Sequence, residues 1–102
     1  MWVVDGSYKS ALRIEPYRDG LLLHALETAP EARGQGCAYA LIGATMEYLQ
    51  SLNFKTVYSH IDKRNKASLR LHEKCGFLPF SDSAVYLDGT VTQNSCTMIY
   101  KR

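Results

Sequence analysis

The sequence predicts an α+β (mixed α/β) domain in which one twisted mixed sheet carries two main helices. Three observations indicate this fold class. The first 28 residues hold three β-type segments separated by tight-turn residues. From Ala38 the apolar residues repeat at a helical period instead. A further β-type segment then separates this helix from a second one, which ends at Gly76.

The first three strands are predicted to form an antiparallel meander, because short turns at Asp5-Gly6 and Arg18-Asp19-Gly20 separate them. The third strand is nearly all apolar, which is typical of a strand covered on both faces. Pro16 marks an edge or a bulge near the end of the second strand, since proline has no N–H to donate. The three segments are Met1–Val4, Lys9–Tyr17 and Leu21–Thr28.

The middle of the chain is predicted to continue that third strand with a helix and a fourth strand. The helix runs from Ala38 to about Leu52, where Asn53 ends it. The strand Thr56–Ile61 follows and is rich in β-forming residues. A strand, a helix and a second strand in this order imply a parallel pair joined by a right-handed crossover.

The second helix has a start signal and a stop signal. Asn65 is a suitable N-cap, because its side-chain oxygen can accept from an early backbone N–H. The helix extends to about Cys75; Gly76 supplies a left-handed residue beyond it and Phe77 an apolar contact. The remaining predicted elements are an extended Phe77–Tyr86, a turn at Asp88-Gly89 and a final strand Cys96–Lys101.

Length and composition indicate a single domain spanning residues 1–102. The net charge of +2 is small and the basic residues are scattered, which argues against a nucleic-acid partner. The cysteines Cys37, Cys75 and Cys96 lack zinc-ligand or redox spacing, so we expect no metal and a reducing environment. With no signal-peptide pattern and no membrane-spanning run, we expect a cytoplasmic protein without a membrane partner.

The segment Pro30–Ala38 joins a strand to a helix and holds two glycines one residue apart, Gly34 and Gly36. Glycines let the backbone approach a ligand closely, and the first N–H groups of the following helix form an anion site. The glycines alone leave open a tight turn with no ligand. A Walker A loop is excluded because no Gly-Lys-Ser/Thr follows, and no third glycine completes a dinucleotide-binding fingerprint.

Two blocks of the sequence resemble the GNAT superfamily of N-acetyltransferases. The run Arg33-Gly34-Gln35-Gly36-Cys37-Ala38 matches the Arg/Gln-x-x-Gly-x-Gly/Ala signature for acetyl-CoA. Asn65–Phe77 is similar to the family's Asn-x-x-Ala/Ser-x-x-Leu-Tyr-x-x-x-Gly-Phe motif, and the two blocks occur in the family's order. The resemblance therefore implies a GNAT-like acyl-CoA N-acyltransferase fold with acetyl-CoA as the acyl donor.

The resemblance also implies where the coenzyme binds. The backbone amides of Gln35–Ala38 would hold its pyrophosphate, and Arg33 would flank the phosphates. The backbone around Leu26–Thr28 would bond the pantetheine and the thioester carbonyl, which stabilises the oxyanion of the tetrahedral intermediate. Asn65 would bond the pantetheine arm, with Ser68 alongside. The coenzyme-binding residues are thus Leu26, Glu27, Thr28, Arg33, Gly34, Gln35, Gly36, Cys37, Ala38, Asn65 and Ser68.

Amine acetylation needs a base for the ammonium and an acid for the departing thiolate. His24 stands where some family members place a water-linked base, and a hydrogen-bonded sheet histidine is the alternative. Strand alternation predicts Glu27, a second candidate base, on the opposite face from His24, so only one of them can face the acceptor. His72 stands where many members have the tyrosine that protonates the thiolate, and a buried structural histidine is the alternative.

The resemblance begins after the family's usual first strand and two helices, which wall the acceptor pocket, so the fold is predicted to be N-terminally shortened. Apolar surface left uncovered there leads us to expect a homodimer. The predicted function is direct transfer of an acetyl group from acetyl-CoA to an amine on a small molecule or peptide. A catalytically weak acyl-CoA-binding module with a regulatory or assembly role stays open, as does a generic nucleotide-phosphate binder.

Overall fold

The computed structural model describes residues 2–4, 10–29 and 36–101 of the chain. Most predicted elements are present within one or two residues of their expected ends; Met1 and Lys9 lie outside the described residues. Phe77–Tyr86 differs, because it forms two short strands instead of one extended segment. The elements are β1 (Trp2–Val4), β2 (Ser10–Tyr17), β3 (Gly20–Thr28), α1 (Cys37–Ser51), β4 (Thr56–Asp62), α2 (Lys66–Lys74), β5 (Leu78–Ser81), β6 (Ala84–Val85), β7 (Val91–Thr92) and β8 (Ser95–Lys101).

Six of the described strands form one mixed sheet in the order β1-β2-β3-β4-β8-β5, and β6 pairs separately with β7. Within that sheet β3 and β4 run parallel, and the other neighbouring strands are antiparallel. The parallel pair follows from the crossover through α1. Pro16 lies beyond the last β1 pairing, where β2 is locally an outer strand, as predicted. The mixed sheet with two helices confirms the predicted fold class.

Both helices pack on one face of the sheet, and we call this the helix face. Helix α1 buries Leu41, Ile42, Met46 and Leu49 there, at the helical spacing that the sequence shows. Fully burying one such side chain stabilises the fold by roughly 1.5–3 kcal/mol. The sheet contributes apolar residues whose side chains point to this face, among them Leu12, Ile14, Leu23, Val57 and Met98.

Neither α1 nor α2 is long and apolar enough to cross a membrane.

The opposite side of the sheet, which we call the aromatic face, carries Tyr17, Leu22 and Tyr58 as a second buried cluster. The short β6 strand reaches this face, because the Tyr17 hydroxyl donates to the Val85 carbonyl oxygen at 2.5 Å. The ring of Tyr86, just after β6, meets the His60 ring edge-on with centroids 5.3 Å apart. The β6–β7 segment therefore covers part of the face that the helices leave open.

A bulge in β3 changes which of its residues share a face. Arg13 pairs with His24. Two residues earlier on β2, Ala11 pairs with Glu27, which lies three residues further along β3. Directly paired residues point to the same side of a sheet, so His24 and Glu27 both lie on the aromatic face. The prediction that strand alternation separates them was wrong, because the extra residue in β3 reverses the alternation.

Strands β3 and β4 pair over three residues and then separate into a wedge. Their register joins Leu21 to Val57, Leu22 to Tyr58 and Leu23 to Ser59. At the closed end, a Cβ added to Gly20 would lie 2.2 Å from the Thr56 carbonyl oxygen, so glycine is required for this close approach. The wedge therefore opens toward the carboxyl ends of both strands, beside the start of α2.

Candidate functional site

A cavity of about 170 Å³ lies in the wedge between β3 and β4. In open sheets with parallel strands, ligands bind beyond the carboxyl ends of the strands, where connections leave in different directions. Typical small-molecule sites occupy roughly 300–1,000 Å³, so this cavity suits a narrow chain and not a whole nucleotide. Its polar lining comes from β3, β4 and α2 with its N-cap: His24, Ser59, His60, Asn65, Ser68 and His72.

The start of α1 is arranged as an anion site. Gly36 is the N-cap residue and has a φ of 77°, in the left-handed region that glycine adopts without strain. No side chain of the described residues caps this helix, and its first turn holds no acidic residue. The first N–H groups of the helix, at Cys37 and Ala38, are therefore left to an external acceptor. Arg33, Gly34 and Gln35, which the resemblance assigns to the same site, lie outside the described residues.

The end of β3 runs along one side of the wedge. Leu26 lines the cavity and packs against the helix-face core, whereas Glu27 is exposed. The Thr28 hydroxyl shares a 2.7 Å hydrogen bond with the Ser10 hydroxyl, which fastens this end of β3 to β2. In the described sheet, β3 makes no ladder pair with β4 beyond Leu23. The backbone of Leu26 and Glu27 on the β4 side can therefore bond a ligand.

The start of α2 forms the other side of the wedge. Asn65 caps this helix as predicted, with its Oδ1 atom accepting the Ser68 N–H at 3.1 Å. The side-chain amide nitrogen of Asn65 takes no part in that cap and can donate to a ligand.

Asp62 lies at the rim of the cavity and is paired with Arg64. Its two carboxylate oxygens accept hydrogen bonds from the Arg64 guanidinium at 3.0 and 3.1 Å. These hydrogen bonds lower the pKa of Asp62 to about 2, which keeps this rim group anionic.

His72 is buried in the wall of the cavity, 1% exposed, and both of its ring nitrogens have partners. Nδ1 lies 2.8 Å from the Ser68 carbonyl oxygen, which can only accept, so Nδ1 carries the hydrogen. Nε2 consequently accepts from the Ser59 hydroxyl at 2.9 Å. Burial lowers the pKa of His72, so the ring is neutral at pH 7. In this tautomer His72 has no proton directed at the cavity, and the Ser59 hydroxyl is committed to the ring.

His24 lies on the aromatic face with its Nε2 atom turned inward. That atom is buried 3.7 Å from the Glu15 carboxylate, beyond hydrogen-bond distance, and no described residue hydrogen-bonds it. Glu15 in turn binds the Arg13 guanidinium at 2.7 Å. The three side chains form a polar cluster on the aromatic face, and Nε2 of His24 is buried within it.

His60, like Ser59 and Asp62, is a polar cavity residue that sequence reasoning missed. It lies on β4 across the wedge from His24, and its ring meets those of Tyr17 and Tyr86 edge-on, with centroids 5.4 and 5.3 Å apart. The alternation of Thr56–Ile61 does place it on the same face as Tyr58. However, only the parallel pairing of β3 with β4 brings it to the cavity.

Among the described residues, no group of three or more His, Cys, Asp or Glu side chains could hold a metal ion.

Comparison with known proteins decides the family. The model of the Acetyltransferase (GNAT) family matches residues 3–77. The chain belongs to this family. The match confirms the resemblance carried by the glycine loop and the Asn65–Phe77 block, and it covers the described wedge and both helices.

Individual known proteins are similar to this chain over part of their own length. Mycothiol acetyltransferase of Paenarthrobacter aurescens (strain TC1) is 31% identical over 72 residues, which make up 71% of this chain and 22% of that protein. The ribosomal-protein-S18-alanine N-acetyltransferase of Escherichia coli has a TM-score of 0.75 at 19% identity, covering 97% of this chain and 64% of its own. PaiA N-acetyltransferase of Thermoplasma acidophilum, in complex with coenzyme A, has a TM-score of 0.74 at 13% identity, covering 91% and 53%. The GNAT chain thus spans less than two thirds of each of these proteins.

Proposed function

We propose that this GNAT chain transfers an acetyl group from acetyl-CoA directly to an amine. The observation that carries the proposal is the wedge between β3 and β4, whose cavity lies at the apex where the strands separate. Membership of an acetyltransferase family supports the same reaction class. The curated relative, a mycothiol acetyltransferase, agrees with it.

The coenzyme's pyrophosphate binds at the start of α1 in this proposal. The N–H groups of Gln35–Ala38 hold it, and Arg33 flanks the phosphates. The left-handed Gly36 and the lack of a side-chain cap from any described residue support this assignment, because both leave the first helical turn open to an anion. The T. acidophilum relative, whose structure contains coenzyme A, supports the same ligand for this fold.

The pantetheine arm lies in the wedge and reaches the cavity. The backbone of Leu26–Thr28 and the amide nitrogen of Asn65 bond it, with Ser68 beside it. A backbone N–H at the β3 bulge then donates to the thioester carbonyl oxygen, where negative charge develops as the amine attacks. In other enzymes, removing one such donor lowers kcat by about 10²–10³-fold.

The amine acceptor approaches from the aromatic face. Glu27 lies exposed on that face, and its carboxylate favours the approach of a cationic ammonium group, whereas the Glu15 carboxylate is already paired with Arg13. The E. coli relative is named for an alanine of ribosomal protein S18, which agrees with amine acceptors in this fold. We propose an amine on a small molecule or a peptide as the acceptor class.

A catalytically weak acyl-CoA-binding module is the second candidate. One observation favours it: His72 stands where the resemblance places a proton-donating tyrosine, yet both of its ring nitrogens are bonded within the protein. Under this alternative the coenzyme site is retained but the acetyl group is not transferred. The role would then be regulatory or structural.

The setting and the assembly are part of the proposal. We propose a homodimer, supported by the outer strand β5, where Leu78 is 66% and Phe80 is 46% exposed. The unpaired cysteines Cys37, Cys75 and Cys96 support a reducing, cytoplasmic setting.

The test combines binding with turnover on the purified wild-type chain. Titration calorimetry with acetyl-CoA, coenzyme A and ATP should give heat for the first two, and ATP should compete poorly. Free thiol should then appear when acetyl-CoA meets a panel of primary amines, and mass spectrometry should find the acetylated amine. Binding without thiol release supports the binding module. No heat with any coenzyme A thioester overturns both candidates.

A further inference from the structure

The tautomer of His60 is determined by its neighbours on the aromatic face. The Tyr17 hydroxyl has a single proton and donates it to the Val85 carbonyl oxygen at 2.5 Å. The Tyr17 oxygen can therefore only accept from the Nε2 atom of His60, which lies 3.3 Å away. Nε2 consequently carries the hydrogen, and Nδ1 holds an unshared lone pair.

The surroundings of His60 also keep its ring neutral and oriented. Burial lowers its pKa, and the nearby charges of His24 and Arg18 lower it further, so the ring is unprotonated at pH 7. The edge-on rings of Tyr17 and Tyr86 restrict its rotation from two sides. A neutral, oriented imidazole with one free lone pair at a ligand cavity has the properties of a general base.

The other two histidines at the cavity lack this combination. His72 uses both ring nitrogens within the protein, with Ser68 and Ser59 as partners. The Nε2 atom of His24 is buried 3.7 Å from the Glu15 carboxylate, and no described residue hydrogen-bonds it. Of the three histidines in the chain, His60 therefore offers the best-defined proton acceptor.

We propose that Nδ1 of His60 is the general base that deprotonates the acceptor ammonium, and that Tyr17 is the residue that positions it. This inference rests on the proposed acetyltransferase function and names a residue of the same site. The chain of contacts from the Val85 carbonyl through Tyr17 to His60 acts as a carboxylate does behind a catalytic histidine: it fixes the tautomer and the ring plane.

The proposed step is balanced as follows. The ammonium of the acceptor gives one proton to Nδ1 of His60, and the neutral amine attacks the thioester carbonyl carbon. A C–N bond forms and the C–S bond breaks as the tetrahedral intermediate collapses. The second proton of the former amine goes to the departing thiolate, which leaves as coenzyme A, and His60 returns its proton to water.

The substitution His60→Gln tests the base directly. The glutamine amide can still donate to the Tyr17 oxygen but has no basic nitrogen. We expect kcat/KM for amine acetylation to fall by about 10²-fold or more, the usual range for a general base. Acetyl-CoA affinity and the melting temperature should stay close to the wild type. His24→Gln, measured in parallel, should lower kcat/KM far less.

Tyr17→Phe tests positioning, with Tyr58→Phe as its matched control. Both changes remove one hydroxyl from the same aromatic cluster, but the Tyr58 hydroxyl bonds Asp19 and not His60. We expect Tyr17→Phe to lower kcat/KM and to add no further loss when combined with His60→Gln. Tyr58→Phe should lower kcat/KM by the same factor in the wild type and in the His60→Gln variant, or should leave kcat/KM unchanged in both.

The outcomes separate the inference from the proposed function. If the wild type acetylates amines and folded His60→Gln keeps its kcat/KM within a few fold, the assignment of His60 is wrong and the function stands. If losses from Tyr17→Phe and His60→Gln multiply, the positioning role is wrong. If the wild type binds acetyl-CoA but acetylates no amine, the proposed function fails and the inference fails with it.

Discussion

Leu23 and Ser59 form the last parallel pair between β3 and β4, and the wedge opens immediately beyond them. The same Ser59 donates its hydroxyl proton to Nε2 of His72 on α2. One residue at the apex therefore links the separation of two strands to the helix that walls the cavity. The cavity depends on this junction, because β3, β4 and α2 meet there.

The left-handed backbone of Gly36 is the first feature to test. Gly36→Ala meets no steric obstacle, since nothing lies within 4 Å of the added Cβ, but its φ of 77° costs an alanine roughly 1–2 kcal/mol. We expect a lower melting temperature and weaker acetyl-CoA binding by calorimetry. Gly43→Ala is the matched control in the interior of α1, where nothing lies within 4 Å either. This control should stabilise the protein by about 0.5–1 kcal/mol and leave binding unchanged. Equal effects of the two substitutions would contradict the strain argument.

The Ser59–His72 hydrogen bond gives a second prediction. Ser59→Ala removes the donor to the buried Nε2 atom, and leaving such a group unsatisfied costs about 1–3 kcal/mol. Ser68→Ala is the comparison, because it keeps the Ser68 backbone carbonyl that holds Nδ1 at 2.8 Å and removes only the hydroxyl, which lies 3.4 Å from Nδ1. We expect urea unfolding to show a clearly larger loss for Ser59→Ala. A larger loss for Ser68→Ala would indicate the other tautomer of His72.

The pH dependence of stability follows from the same histidine. Burial lowers the folded-state pKa of His72 below the 6.5 of an unperturbed histidine, so the unfolded state takes up this proton first as pH falls. The stability that the neutral His72 ring contributes is fully present above pH 6.5. It is lost as pH falls toward the folded-state pKa, by at most about 1.4 kcal/mol per pH unit for one proton. We expect calorimetric melting temperatures to decrease from pH 7 to pH 5, and less steeply in His72→Gln. Parallel curves for the two proteins would argue against this source. His60, whose pKa is lowered as well, supplies part of the remaining slope.

The outer strand β5 provides the test of assembly. Leu78→Asp places a charge on the exposed edge, which should prevent a second copy from packing there. We expect light scattering to show a dimer for the wild type and a monomer for this variant, with both folded. Leu52→Asp, at an equally apolar site that is 50% exposed beyond α1, is the control and should remain dimeric. A monomeric wild type at micromolar concentration would exclude the homodimer.

Most of the architecture could be predicted from the sequence, because its signals are local. The helical spacing from Leu41 to Leu49, the Asn65 cap and the left-handed Gly76 each depend on residues within one or two turns. The order strand, helix, strand then predicted that β3 and β4 are parallel. Asn65 and Ser68, to which the sequence assigned coenzyme binding, both line the cavity, because they lie at the start of a correctly predicted helix.

The composition of the aromatic face could not be predicted in the same way. The placement of His24 and Glu27 on one face depends on a bulge, which is a mismatch between the hydrogen-bond registers of β2 and β3. Nothing in the sequence of β3 alone shows which residue is the extra one. His60 was missed for a related reason, since its partner Tyr17 is 43 residues away and its role depends on the Val85 carbonyl.

The sequence by itself thus determined the fold class, the order of the main elements and the glycine at the start of α1, since hydrophobic period, caps and turns are set by neighbouring residues. Tertiary structure alone decided where β3 and β4 separate, which side chains share the aromatic face and which ring nitrogen of His60 and of His72 carries the hydrogen. These depend on long-range strand register and on hydrogen-bond partners far apart in the chain. A donor or acceptor role is fixed only when the partner is in place.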